Sequence, residues 1–129
     1  MKMISKKVVQ GIKETYPKGT RVELVSMDDQ QAPPPGTRGT VVGVDDTGSL
    51  LMRWDNGSSL NVLYQMDTVR KLHPVKTICY REETLWEDRY DALKYFLQAM
   101  NETDGSERER YTNIHTKLMM GMEVCSDDR

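Results

Sequence analysis

Between residues 18 and 72 the chain is made of short runs rich in Val, Leu and Thr, each stopped by Gly, Pro or a tight Asn-Gly or Asp-containing turn. That texture restricts the stretch to short β-strands. Arg21-Val22-Glu23-Leu24-Val25 alternates polar and apolar residues, which puts Val22 and Leu24 on one face of a first strand. Further strands are expected over residues 39–44, 49–54, 59–63 and 69–72, with turns at 45–48 and 55–57 and a near-helical turn at 64–68. Residues 27–36 carry Asp28, Asp29 and the triple proline Pro33-Pro34-Pro35, which cannot donate to a ladder and therefore form a long, stiff loop. This order predicts a small five-stranded SH3-like β-barrel over residues 18–74, since closing a short sheet removes its exposed edges. The inward set is Val22, Leu24, Val41, Val44, Leu50, Met52, Leu60, Val62 and Val69.

Both flanks read as helical. Ile4, Val8 and Ile12 are spaced by four, with Lys2, Lys6, Lys7 and Lys13 on the other faces, so residues 1–17 are expected to form an amphipathic helix that Pro17 ends. Beyond the barrel, residues 75–80 suit a strand that returns at Leu85-Trp86. Trp86, Tyr90, Leu93, Phe96, Leu97 and Met100 then recur at helical spacing over residues 87–101. Ser106-Glu107-Arg108-Glu109 has the form of a capping box, followed by a second helix with Tyr111, Ile114, Leu118 and Met122 on one stripe. A short turn between two such helices packs them antiparallel. The expected class is α+β in three parts: residues 1–17, 18–74 and 75–129.

As a set, the stretches Tyr16-Pro17-Lys18-Gly19-Thr20-Arg21-Val22-Glu23-Leu24, Ala32-Pro33-Pro34-Pro35-Gly36-Thr37-Arg38-Gly39-Thr40-Val41, Val44-Asp45-Asp46 and Trp54-Asp55-Asn56-Gly57-Ser58-Ser59-Leu60 carry a resemblance. Over about residues 16–72 the chain resembles a domain-of-unknown-function family of small SH3-like domains, frequent in phages, prophages and conjugative elements of Gram-positive bacteria. The segment from Ser106 to Tyr111 is similar to what often follows that domain. The resemblance implies the small-barrel fold and a mobile-element origin. It implies no catalytic residue, because the family has no assigned reaction.

Composition narrows the function. With 18 Lys plus Arg against 20 Asp plus Glu, the formal charge is −2 and the pI about 5.7. That is neither the basic footprint of an autonomous nucleic-acid binder nor the heavily acidic surface of a DNA mimic. Residues 1–74 hold 10 basic and 8 acidic side chains, and residues 75–129 hold 8 and 12, so the two stretches carry +2 and −4. No run approaches the roughly 18 apolar residues of a membrane span, which points to a cytoplasmic protein with no membrane partner. Cys79 and Cys125 are expected as free thiols. Together with His73 and His115 they lack any metal-ligand spacing, so neither a metal nor another cofactor is expected. The adjacent pairs Asp28-Asp29 and Asp45-Asp46 suit turns better than acid-base chemistry, and Gly36-Thr37-Arg38-Gly39-Thr40 lacks the lysine of a phosphate loop.

No catalytic constellation emerges, and the expected role is binding without catalysis. The candidate partner surface is the rim carrying Asp28, Asp29, Arg38, Arg53, Trp54, Asp55, Asn56 and Tyr64, with Met119 and Met120 as adaptable contacts beyond it. The resemblance to a mobile-element family implies the partner: a host protein, in the sense of an inhibitor of a defence nuclease such as a CRISPR effector. The alternative is a nucleic-acid-binding accessory protein that uses Lys6, Lys7 and Lys13 on the first helix as an electrostatic arm.

Overall fold

The computed structural model describes residues 4–129, which form two units, the first running up to Lys71 and the second Leu72–Arg129. The start of the expected first helix, including Lys2, lies outside the described residues. Ser5 caps helix α1 (Lys6–Thr15) by accepting a 3.2 Å hydrogen bond from the Val8 amide. The helix stops at Tyr16, whose N–H still reaches the Ile12 carbonyl at 2.8 Å before Pro17 removes the next donor. The inward stripe differs from the expected one: Val9 is buried and Val8 is exposed, while Ile12 and Tyr16 pack against the core of the first unit.

That core lies under one face of a four-stranded antiparallel sheet. Strands β1 (Arg21–Ser26), β2 (Arg38–Val44), β3 (Leu50–Trp54) and β4 (Thr68–Lys71) are arranged in the order β3-β2-β1-β4. Val22, Leu24, Val41, Leu50, Met52, Trp54 and Val62 are buried together, with Val44 and Val69 half-buried beside them. The period-two pattern of β1 is directly visible in its burial, with Val22 and Leu24 inward and Arg21 and Glu23 outward. At Gly48 the left-handed backbone (φ +80°) favours glycine in the turn before β3, and a Cβ there would also lie 2.6 Å from the Ile4 Cδ1 and 3.1 Å from the Ile12 Cδ1 of α1.

The expected closed five-stranded barrel is not what forms. Residues 59–63 make one isolated bridge, Val62 to Leu50, in place of a fourth strand. Side chains have taken over the ladder there. The Trp54 indole N–H donates to the Leu60 carbonyl at 2.7 Å, the Asn61 side-chain oxygen accepts from the Met52 amide at 3.3 Å, and Ser58 Oγ accepts from the Leu60 amide at 3.3 Å. A segment whose polar groups are met locally has no need of regular pairing, and Leu60 is left half-buried.

In the second unit, β5 (Val75–Cys79) and β6 (Glu82–Trp86) form a hairpin around Tyr80-Arg81, both in the left-handed region at φ 52° and 65°. Helices α2 (Arg89–Asn101) and α3 (Gly105–Met119) pack on one another, and an unforeseen strand β7 (Val124–Ser126) pairs in parallel with β5 in the order β6-β5-β7. Val75, Ala92, Phe96, Ile114, Leu118 and Cys125 make the core. Tyr90, Leu97 and Met122, placed on the helical stripes by spacing, are exposed, and Ala92 occupies the contact instead. The capping box is also displaced: α3 begins at Gly105 after Asp104, so Ser106 lies inside the first turn and Glu109 pairs with Arg129. Cys79 and Cys125 are free, and burial pushes both thiols above their ordinary pKa. Among the described residues no helix is long and apolar enough to cross a membrane.

Candidate functional site

Alternation along β1 to β4 does more than bury one face. It sends Arg21, Arg38, Arg53 and Arg70 together to the other, and these are all the arginines of the first unit. Cross-strand register then sorts them into two rows. Arg21, Thr40 and Arg53 stand opposite one another across β1, β2 and β3, while Glu23 stands between Arg38 of β2 and Arg70 of β4.

The second row is a held triad. The Glu23 carboxylate accepts from Arg38 Nε at 3.3 Å through Oε1 and from Arg70 Nε at 3.0 Å through Oε2. The three side chains are only 20%, 22% and 29% exposed in the order Arg38, Glu23, Arg70. In the first row Arg21 forms a two-pronged pair with Asp55 at 2.8 and 2.6 Å and also donates to the Thr40 hydroxyl at 3.1 Å. The Arg21 guanidinium holds the Asp55 carboxyl below the usual carboxylate range. Among the described residues, the four guanidinium groups stand with the carboxylates of Glu23 and Asp55, a local excess of positive charge on a chain of net −2. Val25 and Val42 are exposed on the same strands, and among the described residues β1 to β4 turn no lysine and no aromatic ring to this face.

The structure distributes the sequence-predicted rim over several places. Arg38, Arg53 and Asp55 belong to the arginine face. Trp54 does not: it is 2% exposed, its ring forms part of the core, and the expectation of a rim contact there is corrected by that burial. The cause is β3's alternation, which turns Leu50, Met52 and Trp54 inward and Arg53 outward. Asn56 is spent on the hairpin turn, where its Oδ1 accepts from the Ser58 amide at 3.0 Å. Asp29 likewise accepts from the Gln31 amide at 2.7 Å. Asp28 and Asp29 line, with Met27, Leu63, Met66 and Asp67, an open cleft of about 210 Å³ between the long loop and the 60–67 segment. Tyr64 lines a different hollow, of about 230 Å³, with Ile12, Tyr16 and Val69.

The remaining candidates are exposed and belong to other elements. Met119 and Met120 lie at the end of α3 in the second unit. Lys6, Lys7 and Lys13 are exposed on α1, whose inner residues pack on the core side of the sheet, opposite the arginines. Sequence reasoning missed Arg21, Glu23 and Arg70. The available signal was that each sits one position from an inward apolar residue, so that a correct register would have gathered them.

No curated protein and no solved structure matches the chain. A family model does match, over residues 5–72, from the cap of α1 through every strand of the arginine-bearing sheet and across more than half of the chain. The chain therefore belongs to the family described as a domain of unknown function, DUF4314.

Proposed function

We propose that this protein is a non-catalytic binding module of a phage or other mobile element. It occupies an acidic patch on a host protein, a defence nuclease such as a CRISPR effector being the kind of target in view, through the arginine face. The observation that carries the reading is the composition of that face. Arginine without lysine, mixed with exposed Val25 and Val42, is the signature of a protein-protein contact, where arginine is enriched and lysine depleted. A nucleic-acid groove draws on both cations and stacks bases on aromatic rings. The Glu23 bridge keeps Arg38 and Arg70 ordered before any partner arrives, which reduces the entropy lost on docking. The acidic groups nearby are engaged in structure, Glu23 and Asp55 with arginines and Asp45 within its own turn, which supports a role in holding over one in bond-making. The strand order, the long loop after β1 and the Val62 bridge beside β3 support reading the unit as an SH3-like module, while the mobile-element origin rests on the family resemblance of residues 16–72.

Affinity capture from host lysate, with and without nuclease, tests this. The expected result is an acidic host protein that survives nuclease treatment and is lost with Arg53→Glu, by about tenfold or more in affinity for a central contact residue. A second reading, nucleic-acid binding through α1, is favoured by the exposure of Lys6, Lys7 and Lys13. It predicts nuclease-sensitive capture and a gel shift abolished by replacing those lysines with Ala and unaffected by Arg53→Glu.

A further inference from the structure

The two carboxylates of the arginine face are held differently. Glu23 is enclosed between Arg38 and Arg70 and only 22% exposed, so it belongs to the sheet itself. Asp55 follows the last residue of β3, and its amide donates to the Arg38 carbonyl at 2.9 Å, which fixes the carboxylate at the border of the face. Its side chain is 53% exposed. Arg21 grips it with both prongs, Nη1 to Oδ1 and Nη2 to Oδ2, the geometry in which a guanidinium takes any carboxylate. An exposed ion pair of this kind contributes little, so an outside carboxylate can compete for the fork. The other groups that such a carboxylate meets stand in the same row. Thr40 lies opposite Arg21 on one side and Arg53 on the other, and strand spacing puts the two arginine Cα atoms about 10 Å apart across it. The Thr40 hydroxyl accepts from Arg21 at 3.1 Å, which leaves its own proton to donate. Arg53 is exposed and has no hydrogen bond or ion pair among the described residues.

Resting on the arginine face as the docking surface, we infer that Asp55 is a built-in stand-in for the partner's acidic side chain. An aspartate or glutamate of the incoming protein displaces Asp55 from Arg21 and is completed by the Thr40 hydroxyl and Arg53. The anion that the fork already holds names the class it selects, a planar carboxylate matched by two parallel donors. Glu23 stays in place, tied to two half-buried guanidinium groups at once. The contact thereby discriminates: without an acidic partner the fork is filled, and a neutral or basic surface gains nothing by displacing Asp55.

The test titrates the full chain with capped hexaglutamate at low ionic strength, where exposed charges are least screened. The wild type is expected to bind, and the Asp55 carboxyl carbon resonance to move while that of Glu23 stays. Asp55→Asn is expected to tighten binding about two- to fivefold, the worth of the exposed pair it removes. Asp55→Ala serves as the second variant, since it leaves no side-chain oxygen for Arg21. Asp46→Asn makes the same change in net charge in the turn beside α1 and is expected to leave binding unchanged. Arg53→Gln is expected to weaken binding about tenfold. No binding, or binding that Arg53→Gln does not touch, would overturn the arginine-face reading together with this inference. Binding that needs Arg53 yet is not tightened by either Asp55 variant, equal tightening by Asp46→Asn, or an Asp55 resonance that stays put at saturation would overturn the stand-in alone.

Discussion

Trp54 shows how burial decides between two readings of one side chain. Its place in the sequence fits either a rim contact or the core, and its ring fills the first core while its indole N–H donates to the Leu60 carbonyl. Trp54→Phe should therefore cost about 2–3 kcal/mol, combining lost volume with an unmet carbonyl, measured as a lower urea midpoint at unchanged m value. Gly39 explains why the indole has room: a Cβ there would lie 2.7 Å from the Trp54 ring. In the second unit Asp127 is the titrating group to watch. The Tyr80 amide, which donates to it at 2.9 Å, and then the Arg110 guanidinium hold its carboxyl below the usual range. A folded-state pKa depressed in this way contributes stability that is present above the unfolded value, near pH 4, and lost as the pH falls through the folded value. Acid titration of stability should thus decline below about pH 4, and Asp127→Asn should flatten that limb while lowering stability at neutral pH.

At the scale of elements, legibility followed locality. Strands β1, β2 and β3 were readable because Val22-Leu24, Val41 and Leu50-Met52-Trp54 alternate within each strand. Residues 59–63 misled because Leu60 and Val62 alternate equally well while side-chain bonds from Trp54, Ser58 and Asn61 replace the ladder. Three-residue β7 has no period to detect, and its parallel partner lies far back in the chain at β5. The arginine face was half legible for a related reason: Arg38 and Arg53 stand among the rim candidates, whereas Arg21 and Arg70 each look like a solvated outward residue, and only long-range register places Glu23 between Arg38 and Arg70. The β5–β6 turn offers a test of local strain. Tyr80 and Arg81 both hold left-handed backbone without being glycine. Arg81→Gly should relieve about 1 kcal/mol of that cost and raise Tm, a gain that a purely contact-based view would not anticipate.

For the whole molecule, the two hydrophobic clusters share no residue. Phe96→Ala, which empties the centre of the second cluster, should cost about 3–5 kcal/mol there. Hydrogen exchange should report faster opening at Val75 and Ile114 while the Val22 and Val41 amides keep their protection. In the first unit, the last residue of β4 reaches back to the first helix: Lys71 Nζ donates to the Thr15 carbonyl at 2.7 Å and stands 6.0 Å from the centre of the Tyr16 ring. That clasp ties the end of β4 to the end of the first helix, so residues 15–71 are nearly a loop shut upon itself. A loop closed in that way suits reopening at the exposed 55–57 turn, with its interior left as it was.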